Sequence, residues 1–152
     1  MIAKPEFLKI RLATIDDFPE IVRIDKPFGL GQRQPFFRAS ILNNQCYVCS
    51  QDERIVAFAI LEAQRFFGND FITLIVVDSD FRRMGIARRL LGELIGQEGT
   101  KKLFTSTNSS NCAMRELLES NGWSLSGSLD GLDDGDPERI YFFDRRVTAQ
   151  NS

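Results

Sequence analysis

The sequence predicts a mixed α/β fold, in which a mostly antiparallel central sheet of about six to seven strands is flanked by about four helices. Three observations carry this prediction. Residues 73–77 form a continuous β-branched and aliphatic run, typical of a strand buried on both faces. Residues 86–95 place apolar side chains at helical spacing directly after a polar break, which predicts a helix that begins at or just before Gly85. Short apolar runs separated by polar turns predict further strands over 7–12, 45–50, 55–61, 101–107, 123–127 and 139–144.

Length and composition limit the classes of protein that fit. The chain has 152 residues, of which 43% are hydrophobic, and these values predict one domain over residues 1–152. The formal net charge of -2 argues against a general nucleic-acid binder, which would carry a basic excess. The N-terminus lacks the apolar segment of a signal peptide, and no run reaches the ~20 apolar residues of a membrane span. We therefore expect a cytoplasmic protein with neither nucleic acid nor a membrane as partner.

The cysteine and histidine contents exclude several kinds of chemistry. The three cysteines, Cys46, Cys49 and Cys112, show no disulfide framework, and their odd number fits a reducing compartment. Residues three apart in a strand point to opposite faces, so Cys46 and Cys49 are predicted to be buried thiols rather than a redox or metal pair. The chain has no histidine, which excludes Ser-His-Asp and Cys-His triads and an imidazole base. No metal is expected.

The first third of the chain predicts a strand, a helix, a loop and a second helix. Thr14 is a good N-cap for the helix after the first strand, and Pro19 lies near its start, where proline is tolerated. Prolines and glycines predict a loop over residues 27–35. A second helix is predicted over residues 36–43.

Turn signals organise the rest of the chain. A polar turn at residues 51–54 between two apolar runs predicts a hairpin, and a longer connection over residues 62–70 leads into the strand that ends at residue 77. Asn111 opens a short helix that Gly122 is placed to end as a left-handed residue. Residues 148–152 are predicted to be a frayed tail.

The start of the helix over residues 86–95 has the chemistry of an anion site. Arg82, Arg83 and Gly85 lie at a helix N-terminus, where the first N–H groups have no intrahelical partner and the dipole favours phosphate oxygens. A Walker loop is excluded because no Gly-Lys pair exists. A dinucleotide fingerprint is excluded because the only Gly-x-Gly, at residues 29–31, has no third glycine in register.

The pattern that fits is Arg82-x-x-Gly85-x-Ala87, directly after a hydrophobic strand. A second pattern is Asn111 followed by a helix that ends in Gly-Trp at residues 122–123. In both patterns the chain resembles the GNAT superfamily of acyl-CoA-dependent N-acyltransferases, over about residues 8–145. The resemblance implies a single GNAT-like domain that transfers an acetyl group from the cosubstrate acetyl-CoA to a primary amine. The acceptor would be a small-molecule or peptide amine attacked directly, and the family's C-terminal strands often mediate homodimers.

The resemblance also implies roles for particular residues. Backbone amides over residues 82–87 would cradle the CoA pyrophosphate, and the pantetheine arm would lie along the strand that ends at residue 77. The expected cofactor-binding residues are Ile75, Val76, Val77, Arg82, Arg83, Met84, Gly85, Ile86, Ala87, Arg88 and Asn111. In the family the segment between the first two helices lines the acceptor pocket. Phe28, Phe36 and Phe37 are therefore candidate pocket walls, with core packing as the alternative.

The catalytic residues are left open by the sequence. Leu118 stands where the family often has the tyrosine that protonates the departing thiolate. The candidates that remain are Glu62 or Asp70 as a base acting through water, with surface solvation as the alternative, and Tyr141. The alternative function is a catalytically weak or inactive acyl-CoA-binding module or sensor.

Overall fold

Seven strands and four helices make up residues 7–146, the part of the chain that the computed structural model describes. The strands are β1 (Leu8–Leu12), β2 (Cys46–Gln51), β3 (Arg54–Phe66), β4 (Asn69–Val77), β5 (Lys102–Asn108), β6 (Ser124–Leu129) and β7 (Glu138–Asp144). The helices are α1 (Phe18–Gly29), α2 (Gln34–Leu42), α3 (Ile86–Ile95) and α4 (Cys112–Ser120). The tail predicted at residues 148–152 lies outside the described residues.

The strands form one mixed sheet in the order β1-β2-β3-β4-β5-β7-β6. β1 with β2, β2 with β3, β5 with β7, and β6 with β7 all pair antiparallel. β4 and β5 pair in parallel, an arrangement that requires a crossover connection, and α3 lies in that connection. The predicted fold class, a mixed and mostly antiparallel sheet with four helices, is therefore confirmed.

The chain divides into two compact units, which are described separately. Of the described residues, the first unit holds 7–61 and 74–94, and the second holds 62–73 and 95–146. β3 and β4 contribute residues to both units.

The core of the first unit lies where α1 and α2 pack on strand residues. Phe37 of α2 meets Phe58 of β3 edge to face, with ring centroids 5.2 Å apart, and both side chains are buried. The cluster is otherwise aliphatic and is formed by Ala13, Ile21, Ile24, Ile41, Cys46, Val48, Ile55, Ile60 and Val76. Cys46 and Cys49 are free and buried, as the strand alternation predicts.

The loop predicted over residues 27–35 is wrong at both ends, because α1 continues through Pro27 to Gly29 and α2 begins at Gln34. Pro27 has no N–H to bond the carbonyl four residues earlier, which normally ends a helix. The additional turn is held by a buried ion pair, in which the Asp25 carboxylate accepts two hydrogen bonds from Arg33. A methyl group on Gly29 would come within 2.6 Å of Arg33 Nε, so glycine leaves the room that this pair occupies.

Two further expectations for the first unit need correction. The alternation of β1 predicts that Leu12 faces the core with Leu8, but 41% of Leu12 is exposed, since it ends β1 at the edge strand of the sheet. The helix predicted to begin at or just before Gly85 begins at Ile86. Gly85 itself has a φ of +78°, which lies outside helical geometry.

The second unit is organised around β5, whose side chains alternate between a buried and a half-exposed face. Leu103, Thr105 and Thr107 form the buried face. The half-exposed face carries an aromatic row in which neighbouring ring centroids are 5.0 to 5.8 Å apart, formed by Phe66, Phe71, Phe104 and Phe142. The single tryptophan, Trp123, is buried with its ring centroid 5.7 Å from that of Phe143.

The connection predicted over residues 62–70 is largely strand. β3 extends to Phe66 and β4 begins at Asn69, so the turn is reduced to Phe67 and Gly68, both with positive φ. A two-residue hairpin turn whose twist matches that of its two strands requires a positive φ at both turn residues. Phe67 is 90% exposed at this turn, a position where a polar residue is more usual, and this is why the sequence pattern did not reveal the hairpin.

Candidate active site

The turn between β4 and α3 has a well-defined local structure. Asp78 ends the strand, and its carboxylate accepts a hydrogen bond of 3.0 Å from the Asp80 N–H, which starts a single 3₁₀ turn over Ser79–Phe81. The backbone then extends at Arg82 and becomes left-handed at Arg83, with φ of +60°. Gly85, the second left-handed position, directly precedes the helix.

The N-terminus of α3 leaves backbone donors without helical partners. The first hydrogen bond back from the helix is donated by the Arg89 N–H to the Gly85 carbonyl, at 3.1 Å. The N–H groups of residues 85–88 therefore have no partner within the helix. A Cβ built on Gly85 meets no atom within 4 Å, so open space adjoins these donors. Free donors beside open space at a helix N-terminus are suited to a phosphate group.

The arginines around this turn differ from most others in the chain. Within residues 7–146, no ion pair involves Arg82, Arg83, Arg88 or Arg89, and all four are exposed. Six of the other ten arginines are paired with carboxylates, namely Arg11, Arg23, Arg33, Arg54, Arg145 and Arg146. The positive charge at the start of α3 is thus not neutralised by the described protein, as an anion site requires.

The buried carboxylate of Asp78 holds the turn between β4 and α3 in place. Asp78 pairs with Arg23 of α1 at 2.9 Å and with Arg54 of β3 at 3.6 Å. Burial opposes the ionisation of Asp78, but the hydrogen bonds from the Asp80 N–H and from Arg23 outweigh it, so the pKa of Asp78 lies below its usual range. The Asp78 N–H also donates to the Val56 carbonyl at 2.8 Å. The charged Asp78 side chain therefore anchors the end of β4.

Two contacts between an arginine and an aromatic ring involve residues of this turn. Arg82 Cζ lies 4.8 Å from the ring centroid of Phe28 in α1, and Arg54 Cζ lies 5.0 Å from that of Phe81. Of the three expected pocket walls, Phe37 is a core residue and Phe36 packs partly buried against the same core. Phe28, by contrast, is 45% exposed.

The end of β4 offers main-chain groups as well as side chains. β4 pairs with β5 from Asp70 to Ile72, and β3 is its other neighbour in the sheet. Within the described chain, residues 73–77 thus have β3 as their one strand neighbour. The prediction that this run is buried on both faces is wrong in detail, because Val76 is buried whereas Ile75 and Val77 are half-buried.

The remaining expected cofactor residues occupy two places. Met84 is half-buried in the turn, and Ile86 and Ala87 open α3, with Ile86 in the core. Asn111 lies in the second unit, where its side chain caps α4 by accepting a hydrogen bond of 3.2 Å from the Met114 N–H. Leu118 of the same helix is fully buried.

The three catalytic candidates all lie in the second unit, and their surroundings differ. Both Asp70 oxygens are occupied, by the N–H groups of Gln64 and Thr100 and by Arg145. Burial opposes ionisation of Asp70, yet these hydrogen bonds together hold its pKa below the usual range. A carboxylate so strongly stabilised in its charged form is a weak base.

The other two catalytic candidates, Tyr141 and Glu62, have different surroundings from Asp70. Tyr141 is fully buried, and its hydroxyl donates to Glu119 of α4 at 2.9 Å. Burial, together with the Glu119 carboxylate, raises the pKa of Tyr141. Glu62 is half-buried and accepts a hydrogen bond from the Thr73 hydroxyl, and its second oxygen has no donor among residues 7–146. Glu62 thus keeps a free acceptor that Asp70 lacks.

Sequence reasoning missed the residues that hold the turn in place. Asp78 directly follows the strand, which could have marked it as a cap, but nothing in the sequence connects it to Arg23, 55 residues earlier.

No helix among residues 7–146 has the length and apolar character needed to cross a membrane.

Comparison with known proteins identifies the class of this fold and turn. A model of the Acetyltransferase (GNAT) family matches residues 13–123, a span that contains the turn, α3, α4 and the Gly-Trp pair that follows α4. The chain belongs to this family, and it is accordingly an enzyme of the acetyltransferase class. Among proteins of curated function, none matches the chain.

Solved structures agree with the family assignment. A GNAT-family acetyltransferase from Bacillus cereus is 35% identical, with a TM-score of 0.86 over 90% of this chain and 96% of the other. The ribosomal-protein-S18-alanine N-acetyltransferase of Escherichia coli is 21% identical, with a TM-score of 0.75, and the match covers 90% of this chain and 93% of the other. The yncA protein of Salmonella typhimurium, solved with its cofactor acetyl-CoA, is 17% identical, with a TM-score of 0.73 over 91% and 94%. The last two similarities concern the fold alone.

Proposed function

We propose that this protein transfers an acetyl group from acetyl-CoA to a primary amine of a small molecule or peptide, by direct attack and without a covalent enzyme intermediate. One observation carries the proposal. At the start of α3, unpaired N–H groups, the open space at Gly85 and four arginines without ion pairs in the described chain form an anion site. A pyrophosphate has the charge and size for such a site.

The residues of the first unit fit this cosubstrate. Backbone amides over residues 82–87 would hold the pyrophosphate, and Arg88 lies beside Gly85 in a groove along α3. The edge of β4 over residues 75–77 would pair through its main chain with the extended pantetheine arm, in the manner of an added strand. When bound, the thioester supplies an activated acetyl group. The protein's contribution is alignment, the largest part of the rate enhancement in a reaction of two bound partners.

Among the catalytic candidates, we infer that Glu62 accepts the amine proton, directly or through water. The support is its free oxygen and its half-buried position, which Asp70 and Tyr141 do not share. Glu62→Gln should then lower kcat for a responsive amine by about tenfold or more while the Kd for acetyl-CoA stays the same. An unchanged kcat would remove Glu62 from this role.

A second candidate function is an acyl-CoA-binding sensor with weak or no transferase activity. The observation that favours it is Leu118, which is fully buried and carries no proton donor at the position where the family often has tyrosine. Release of free CoA thiol from acetyl-CoA, measured with a panel of small amines, peptides and aminoglycosides, separates the two functions. Thiol release above the amine-free rate supports the transferase, whereas tight binding with no release across the panel supports the sensor.

The cofactor site is tested by calorimetry with acetyl-CoA. Gly85→Glu places a carboxylate in the open space at the proposed pyrophosphate position and should abolish binding. The matched control is Gly68→Glu, because Gly68 has a similar φ of +81° and equally open surroundings but lies in the β3–β4 hairpin. Absence of binding by the unmodified protein, or equal binding by Gly85→Glu, would refute the proposed site. Circular dichroism checks that each variant is folded.

A further inference from the structure

We propose that Phe28 is a positioning residue for cofactor binding: its ring holds the Arg82 guanidinium at the phosphate-binding turn and leaves the N–H edge of that group free for the anion. This inference rests on the proposed function, because it assigns a role within the same site. It adds to that function a residue outside the turn, on α1, that sets affinity for the phosphate portion of the cosubstrate.

The contact is the one interaction that the described structure gives to the Arg82 side chain. Its Cζ lies 4.8 Å from the Phe28 ring centroid, and no hydrogen bond or ion pair joins Arg82 to another of residues 7–146. A cation over an aromatic face is attracted by the ring quadrupole. The guanidinium is planar, and a guanidinium that lies with one face against an aromatic ring keeps its N–H donors pointing outward in its own plane. The same group can therefore stack on Phe28 and bind phosphate oxygens.

Holding the guanidinium in advance favours binding. A long arginine side chain at an exposed turn samples many rotamers, and ordering it on binding costs conformational entropy. A side chain already ordered on an aromatic ring has lost part of that freedom before the anion arrives. Phe28 should thus increase affinity for a phosphate-bearing ligand without contacting the ligand itself.

The fold maintains Phe28 at this place in spite of the preceding residue. Pro27 would be expected to end α1, and the chain would then leave the helix before Phe28. Instead the turn is closed by a hydrogen bond of 3.0 Å from the Leu30 N–H to the Lys26 carbonyl. The Asp25–Arg33 ion pair described above holds the same turn. The last turn of α1 is therefore a rigid support that presents the Phe28 ring to Arg82.

The chain contains a matched control for the contact. Arg38 Cζ of α2 lies 4.6 Å from the ring centroid of Phe18 in α1, the same kind of pair at nearly the same distance. Neither of these residues belongs to the turn over residues 78–88. Loss of the Phe18 ring should therefore leave cofactor affinity unchanged.

The test measures acetyl-CoA affinity by calorimetry for Phe28→Leu, Phe28→Tyr and Phe18→Leu. Phe28→Leu should raise Kd about two- to fivefold, the value of an exposed cation–π contact, whereas Phe28→Tyr should restore the affinity of the unmodified protein. Phe18→Leu should bind as the unmodified protein does. Unchanged affinity in Phe28→Leu would overturn the proposal, and so would an equal loss in Phe18→Leu.

A double-mutant cycle separates positioning from a structural effect. If Phe28 acts through Arg82, Phe28→Leu should cause no further loss in an Arg82→Gln background. The same loss in both backgrounds would overturn the proposal, because Phe28 would then act independently of Arg82. If Phe28→Leu fails to fold, Phe28→Trp replaces it: it should bind acetyl-CoA more tightly than the unmodified protein, but the Phe28→Trp with Arg82→Gln double variant should bind no more tightly than Arg82→Gln alone. Failure of the unmodified protein to bind acetyl-CoA would instead refute the proposed function.

Discussion

The ion pair between Asp25 and Arg33 should be among the contacts on which the stability of the first unit most depends. Asp25 is 1% exposed, and Arg33 donates to both of its oxygens. Arg33→Met keeps the aliphatic stem but leaves a buried carboxylate without its cation. Removing one partner of a buried pair costs about 3–5 kcal/mol, and partial exposure of Arg33 reduces this to about 2–3 kcal/mol by admitting water. At about 2–4 °C per kcal/mol, the melting temperature should fall by roughly 4–12 °C.

Urea unfolding followed by circular dichroism measures the loss of unfolding free energy in Arg33→Met. Two further variants serve as controls. Glu20→Gln removes the exposed ion pair between Glu20 and Arg23 on the same helix, and it should cost less than about 1 kcal/mol. The double variant Arg33→Met with Asp25→Leu should be more stable than Arg33→Met alone, since it removes the unpaired charge. The reasoning is refuted if Arg33→Met is no more destabilising than Glu20→Gln.

Two further predictions concern ionisable groups. Because the folded-state pKa of Asp70 is lowered, the unfolded chain binds more protons as the pH falls below about 4, and the stability present above that pH is lost in acid. Asp70→Asn should lower the free energy of unfolding at neutral pH and flatten this acid dependence, and urea titrations showing the same slope in both proteins would contradict it. Burial raises the pKa of Cys46 to about 12 and that of Cys49 to about 11, so the exposed Cys112 should be the one thiol labelled by a maleimide in the native state. Mass spectrometry would count one adduct, and two or three adducts at comparable rates would contradict this expectation.

The turn between β4 and α3 was predictable because its determinants are close together in the sequence. A β-branched strand, a glycine and a helical apolar period occur within about twenty residues, and each has a direct physical cause in backbone geometry or burial. The fold class followed from the same local patterns and from the family resemblance. Gly85 and the arginines of the turn therefore appear in the structure where the sequence predicts them.

Features that depend on distant partners could not be predicted in this way. Pro27 signals a helix end by local rules, and only the pairing of Asp25 with Arg33 shows why the helix continues. Asp70 is a candidate base by its place in the sequence, and no local signal connects it to Arg145, 75 residues later, with which it forms an ion pair. Tertiary contacts override local preference at such positions, and no spacing rule reveals them.

Trp123 provides a fluorescence probe that is specific to the second unit. It is the single tryptophan of the chain, it is 4% exposed, and it belongs to the second unit. Tryptophan emission should therefore report the unfolding of that unit, whereas circular dichroism reports helices and strands of both. Coincident melting curves would mean that the two units unfold as one cooperative block. In that case a substitution such as Arg33→Met, in the first unit, would shift the temperature at which the fluorescence of Trp123, in the second unit, changes.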